Sequence, residues 1–510
     1  MFLTLILGCS LQLYDQIPCT TSAQCRSFGV GSICSQEPDE TEGFCVDATP
    51  TDRCYSSYPE HILTEDGADW ENHRNDLIIG ALFDHQSDLP NVDAVNLATK
   101  QIADFGGLES KNFIVIHCSY EDDDNGSLDS LSGEDAVQAA ASFLIEDLGA
   151  PVVIGPAGSS DSLFAFEIAK REENQSVLIS PSATSPSLTD IDGSVKTDDD
   201  PGLFWRTIGS DVYQTEVMSQ LILETQTLNS ENETPQLTVV YQDSAYGRSF
   251  QEELKEHLNS LSSDTPFDIY YVPFDNIEDL SISNLIGSTG IVFISSDIFD
   301  VTTFLDNVAL SEAIIYLADG AADEQLLKFF EGLDSGQQFS ARIYGTRPGI
   351  SSPDFDSFAS AYNTFSESQA KDNPYAAYTY DATWMAISGY TWAHFNFIAE
   401  NPEQTTPQYT GKDIAKGLRH LSSSDSEDIF FYSGWPQIQG ILSSKQTVNV
   451  SGASSRLNYD LETEELVSHM EIWRIIDLED NNYCFSTQQV CNAEEGCSLL
   501  WTESEASLCD

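Results

Sequence analysis

A repeated alternation of short apolar runs with helix-period segments constrains this chain more than any other feature. The first run, 77–83 (LIIGALF), reads as a buried strand. Val92, Val95, Ala98, Ile102 and Phe105 then fall at helical spacing, and Gly106-Gly107 marks the stop. Residues 113–118 (FIVIHC) read as the next strand, 134–148 as a helix, and 151–155 (PVVIG) as the third strand. A helix over 161–171 and a strand over 177–179 follow. This order predicts a parallel, doubly wound α/β sheet.

The same grammar then repeats. Helices are expected over 211–228, 246–261, 298–308 and 323–330, and strands over 237–241, 268–272, 290–295, 313–317 and 341–344. After Pro348, helical segments surround 375–384 and 414–421, and 452–459 and 469–475 read as strands returning to close a sheet. No low-complexity linker separates the halves. Two similar α/β halves predict two lobes facing one another.

The stretch 177–189 (VLISPSATSPSLT) carries the first functional signal. Pro181 ends the strand because proline cannot donate to a sheet ladder. Ser182, Thr184, Ser185 and Ser187 follow as short hydroxyl donors at the carboxyl end of a strand, where open α/β sheets bind small ligands. The plain alternative is a polar turn whose hydroxyls satisfy their own backbone.

With 510 residues the chain has room for two or three domains. Its 21 basic residues stand against 83 acidic ones, a formal charge of −62. Such a surface repels nucleic acid and anionic lipid and suits solubility in high salt. The acidic run 121–124, followed by Asn125-Gly126, reads as a solvated loop: a calcium loop would place Ser132 where its glutamate belongs. No metal site and no cofactor are expected.

Export is indicated at the N-terminus. Ile6-Leu7-Gly8-Cys9 resembles a bacterial lipoprotein cleavage box, with Cys9 as the lipidated residue and 1–9 as the signal, a run shorter than a full signal peptide and without its basic start. The other ten cysteines support an oxidising compartment, and the absence of CxxC argues for disulfides over zinc. Cys19, Cys25, Cys34 and Cys45 are expected to pair within a small module, Cys54 with Cys118, and Cys484, Cys491, Cys497 and Cys509 among themselves. Connectivity inside each group stays open. Residues 10–75 are set apart as a Cys-rich leader and 481–510 as a Cys-rich extension.

Several segments in order resemble one family. LIIGALFD, GAPVVIGPAGSS, VLISPSATSPSLT, FWRTIGSDVYQ, LTVVYQDSAYGRSF, YAAYTYDATW and SGASSRLNYD together are similar to type I periplasmic binding proteins, the branched-chain amino-acid-type substrate-binding proteins of ABC transporters. The resemblance spans about 76–476. It implies two Rossmann-like lobes, 76–209 with 346–450 and 210–345 with 451–480, joined by crossovers near 208–211, 345–348 and 450–455. For the site it implies that Ser159, with Ser160 beside it, holds a ligand carboxylate, and that Ser182 and Thr184 are strand-end contacts. Tyr246 would close over the ligand from the second lobe. Asp319 would pair with the ligand's ammonium, Asp297 being the second acidic candidate.

No HExxH, GxSxG, Walker GK[ST] or GxGxxG motif is present, and the eight histidines show no ligand spacing, so no enzyme is expected. The reading that follows is a lipid-anchored, periplasmic or cell-surface protein that captures a small solute, such as an amino acid, for an ABC permease. A surface sensor and a structural lipoprotein of the same fold are the alternatives.

Overall fold

The computed structural model of the protein describes residues 17–36, 41–65, 67, 69–121, 129–172, 174–229, 234–261, 267–333, 336–403, 409–422, 427–466, 469–478, 482–492 and 496–499. Cys9, the acidic run after Glu121 and Cys509 lie outside them.

At the N-terminus, β1 (Pro18–Cys19), β2 (Ser32–Ser35) and β3 (Gly43–Asp47) form an antiparallel sheet in the order β1-β3-β2. The Cys19–Cys34 and Cys25–Cys45 disulfides staple it. The module also packs on the first lobe. Arg26 donates to the carbonyls of Ile145 and Glu146, and Trp70, wholly buried in α1 (Trp70–His73), donates to the Ala48 carbonyl at 2.9 Å. Ala48, Ile62, Leu63 and Trp70 share one apolar core with Ile78, Leu82 and Ile114.

The first lobe is a six-stranded sheet. Its strands are β4 (Ser56–Tyr58), β5 (Leu77–Phe83), β6 (Phe113–Ser119), β7 (Val152–Ile154), β8 (Val177–Ser180) and β9 (Phe204–Arg206), in the order β4-β6-β5-β7-β8-β9. All pair in parallel except β4, which lies antiparallel to β6 beside the Cys54–Cys118 disulfide. In β5, Leu77, Ile79, Ala81 and Phe83 face one core while Ile78 and Leu82 face the other. Both faces are covered, which is why the strand is apolar throughout. Helix α2 (Leu89–Asp104) lies on the first face, and α3 (Gly133–Ser142) and α4 (Ser159–Ala169) on the second.

The chain then leaves for the second lobe through α5 (Asp211–Asn229). There follow β10 (Gln236–Gln242), α6 (Ala245–Leu261), β11 (Asp268–Phe274), β12 (Gly290–Ile294), α7 (Ile298–Val308), β13 (Ile314–Leu317), α8 (Glu324–Glu331), α9 (Gly336–Ser340) and β14 (Ile343–Pro348). After β14 the chain returns to cover the first lobe with α10 (Phe355–Phe365), α11 (Tyr375–Glu400), α12 (Gly411–Leu418) and α13 (Phe431–Ser443).

Beyond α13 the structure differs from the sequence reading, which ends the first lobe at 450. Val450, Ala453, Leu457, Tyr459 and Leu466 are buried in the first lobe's core, and the Tyr459 hydroxyl donates to the Arg206 carbonyl at 2.8 Å. The third crossing therefore falls after Leu466, not at 450–455, because these apolar side chains find their partners on Trp205 and α11. The chain then enters β15 (His469–Asp477), antiparallel to β14. β16 (Tyr483–Asn492) and β17 (Gly496–Leu499) continue the same eight-stranded sheet, order β11-β10-β12-β13-β14-β15-β16-β17. The segment set apart as a C-terminal extension thus joins the second sheet, with β16 paired along β15. Cys491–Cys497 closes its last hairpin, and Cys484 is disulfide-bonded as well. Among the described residues no helix is long and apolar enough to cross a membrane.

Candidate functional site

The carboxyl ends of the parallel strands of both lobes face a common cleft, and the loops that follow them bring the functional side chains together. On the first lobe, the loop after β7 ends at Ser159 and Ser160, the first residues of α4, where free backbone N–H groups and the helix dipole favour an anion. Ser159 is buried, and its hydroxyl accepts from the Ser185 N–H at 3.3 Å. Ser182 donates to the Ala157 carbonyl at 3.1 Å, which joins the loop after β8 to the loop after β7. Thr184 is 1% exposed, and its carbonyl accepts from the Asp211 N–H at 2.9 Å.

Arg206 holds this loop from behind. It is 1% exposed, and its five N–H donors go to the carbonyls of Ala183 and Ser185, the Thr189 hydroxyl and both carboxylate oxygens of Glu465. Every donor of the guanidinium is used, so it shapes the site rather than reaching into it.

From the second lobe, Tyr246 at the start of α6 donates its hydroxyl to Asp319 Oδ1 at 2.5 Å. Gln214 donates to the same oxygen at 3.3 Å, and Tyr375 of α11 donates to Asp319 Oδ2 at 3.3 Å. The lobes also meet directly: Ser160 accepts from the Ala245 N–H at 3.4 Å, and Ser185 shares a 2.6 Å hydrogen bond with Ser249. The cleft is closed.

Asp211, the first residue of α5, is wholly buried. Among the described residues no hydrogen bond of good geometry reaches either carboxylate oxygen, the Thr184 hydroxyl being the side-chain donor beside it. Burial pushes its carboxyl well above the usual range, and the charge of Asp319 pushes it further. Asp319 is raised too, chiefly by burial, with its three side-chain donors acting the other way. Tyr246 is driven well above the ordinary tyrosine range by burial first and Asp319 second. Two buried acids side by side cannot both ionise cheaply, so the pair is short of a positive charge.

Ser159, Ser160, Thr184, Tyr246 and Asp319 are thus brought to one cleft, with Ser182 bracing its loops. Asp297 does not join them. It is exposed, and its side chain caps α7 by accepting from the Phe299 N–H at 2.8 Å. Sequence reasoning missed Asp211, Gln214 and Tyr375. The spacing of Asp211 and Gln214, one turn apart at a helix start, places both on one face and was the available signal.

The family described as "Receptor family ligand binding region" matches residues 92–426, well over half of the chain. No curated protein matches by sequence. Among solved structures, a leucine binding protein LivK from Thermotoga maritima is similar at 15% identity and a TM-score of 0.57, over 82% of this chain and 99% of that one. A branched-chain amino acid transporter substrate binding protein LivJ from Streptococcus pneumoniae, in complex with isoleucine, is similar at 16% and 0.55, over 83% and 99%. A solute binding protein of an ABC transporter from Rhodopseudomonas palustris, holding 3,4-dihydroxybenzoic acid, is similar at 11% and 0.55, over 84% and 99%. At these identities the likeness is one of fold: two α/β lobes of the type I periplasmic binding protein kind. By the extent of the family match, the chain belongs to the family of receptor ligand binding regions.

Proposed function

We propose that this protein captures a small solute bearing an ammonium group, an amino acid or a related compound, by closing its two lobes around it. One observation carries the reading: Asp211 and Asp319 form a buried acidic pair, and among the described residues Asp211 has only the Thr184 hydroxyl beside it, with no well-formed hydrogen bond. A ligand ammonium supplies the missing donors and charge. The Ser159 hydroxyl, with the N-terminus of α4, suits a carboxylate at the other end, giving hydrogen bonds without a side-chain cation, while Thr184 lies beside Asp211. The solved structures holding leucine-type ligands support the amino-acid class, while the dihydroxybenzoate complex marks how widely the fold varies its cargo.

Delivery to an ABC permease from a lipid anchor at Cys9 completes the proposal. The disulfides at both ends favour an extracytoplasmic location. Binding chemistry alone, without catalysis, is what the cleft is suited to. The second reading, a ligand sensor, is favoured by the receptor description of the matching family.

Thermal melting against a panel of amino acids and amines tests the proposal, since a ligand that binds only the folded state raises the melting point by mass action. A shift with an amine-bearing solute, lost in Asp319→Asn, is expected. No shift with any of them would remove the solute-capture reading.

A further inference from the structure

The first turn of α6 does more than carry Tyr246. At its start the Ala245 N–H donates to the Ser160 hydroxyl of the first lobe at 3.4 Å, and one turn on the Ser249 hydroxyl lies 2.6 Å from that of Ser185. Tyr246 sits between these two contacts and reaches Asp319.

Proton counting fixes the direction of the second contact. A serine hydroxyl has one proton to give. That of Ser249 goes to the Ala245 carbonyl at 2.7 Å, within its own helix, so Ser249 accepts from Ser185. Ser185 in turn accepts from the Ser187 N–H at 3.2 Å and from the Ser187 hydroxyl at 2.7 Å. A chain of hydroxyls thus runs from Ser187 through Ser185 to Ser249 and ends on a helix carbonyl. It is complete in protein atoms alone.

Ser185 is wholly buried and held in three directions. Its N–H donates to Ser159 at 3.3 Å, its carbonyl accepts from Arg206 at 3.0 Å, and its hydroxyl crosses to the second lobe. The bridge therefore joins Ser159, at the N-terminus of α4, to the helix turn that presents Tyr246.

We propose that Ser185 and Ser249 form a latch that favours the closed lobes whether or not a solute is bound, with Ser249 as the positioning residue that sets Tyr246 against Asp319. A neutral hydrogen bond, half open to water at Ser249, is weak enough to bias the lobe equilibrium without locking it. It carries no charge, so salt leaves it intact.

Small-angle X-ray scattering of the full chain with no added solute, in about 1 M salt to screen repulsion between the lobes, reads the ratio of closed to open forms. Its outcome is therefore separate from that of solute capture. Ser249→Val and Ser249→Thr have the same shape and differ in the hydroxyl alone. Ser249→Val is expected to lower the closed-to-open ratio about three- to tenfold, the range that one neutral hydrogen bond supplies, and Ser249→Thr to stay near wild type. Ser249→Ala, which suits a helix better than a β-branched side chain, should match Ser249→Val, and far-UV circular dichroism melts confirm that each variant is folded. Equal ratios in wild type, Ser249→Val and Ser249→Ala would overturn the proposal. So would a wild type that is wholly open, or a Ser249→Thr chain as open as Ser249→Val.

Discussion

The Tyr246 hydroxyl, on the second lobe, donates to Asp319 at 2.5 Å, and Tyr375 on α11 of the first lobe donates to the other oxygen of the same carboxylate. Asp319 is therefore gripped from both sides of the cleft. Tyr246→Phe removes one donor to a buried charge without opening a cavity. The expected result is a loss of ligand affinity of about ten- to a hundredfold, the worth of a hydrogen bond to a charged group being about 1.5 to 3 kcal/mol. Calorimetric titration of wild type and variant measures it.

Arg206 is a positioning residue for the hydroxyl loop. Replacing it with Met leaves Glu465 half-buried without its partner and frees the carbonyls of Ala183 and Ser185. Breaking a buried pair from one side costs about 3–5 kcal/mol, so the variant should melt well below wild type. Ligand affinity should fall with it, and Arg206→Lys should restore only part of either.

Asp381 ties α11 to two other segments of the first lobe. Its buried carboxylate accepts from the N–H groups of Ala453 and Ser454 and from the Ser454 hydroxyl, and the Ser454 carbonyl accepts from Ser351 and Ser352. Burial pushes its carboxyl up to about 7, so the folded protein binds a proton there that the unfolded chain, near 3.8, releases. The sign follows: this group stabilises the fold below its folded value, and that contribution is lost as pH rises through about 7. His117, pushed by burial to about 3, acts the other way below its unfolded 6.5, so the difference between wild type and Asp381→Asn isolates the aspartate. The cost of that substitution should grow by about 2–3 kcal/mol from pH 8 to pH 5, measured by urea unfolding.

The Cys54–Cys118 bridge spans 64 residues and brings β4 to the edge of the first sheet. On the loop-entropy scale, closing such a span is worth about 4 kcal/mol. The double Cys→Ala variant should lose stability of that order in denaturant unfolding, with ligand affinity kept at temperatures where it remains folded.

Much of this fold was legible because its strands obey simple rules. The runs LIIGALF and FIVIHC are apolar throughout, which only a sheet covered on both faces requires, and the structure covers both. Strand-end loops rich in serine and threonine likewise pointed to the cleft. What stayed hidden depends on distant partners. Asp211 reads as an ordinary acidic helix start, and only the arrival of Asp319 and Tyr375 from far along the chain makes it unusual. Asp297 carries the opposite lesson: an aspartate before a helix, two residues from the N–H it caps, is a local capping signal that needs no ligand. The late crossing was invisible because Leu457 and Tyr459 are apolar enough for either lobe, and only packing decides between them.

Binding of an ammonium-bearing solute between Asp211 and Asp319 is the central claim, and titration of the wild-type chain beside Asp211→Asn and Thr184→Ala tests it most directly. The account predicts measurable affinity for an amine-bearing solute in the wild type, about tenfold or more weaker in each variant, with both variants folded by circular dichroism. Equal affinity in all three proteins would contradict it.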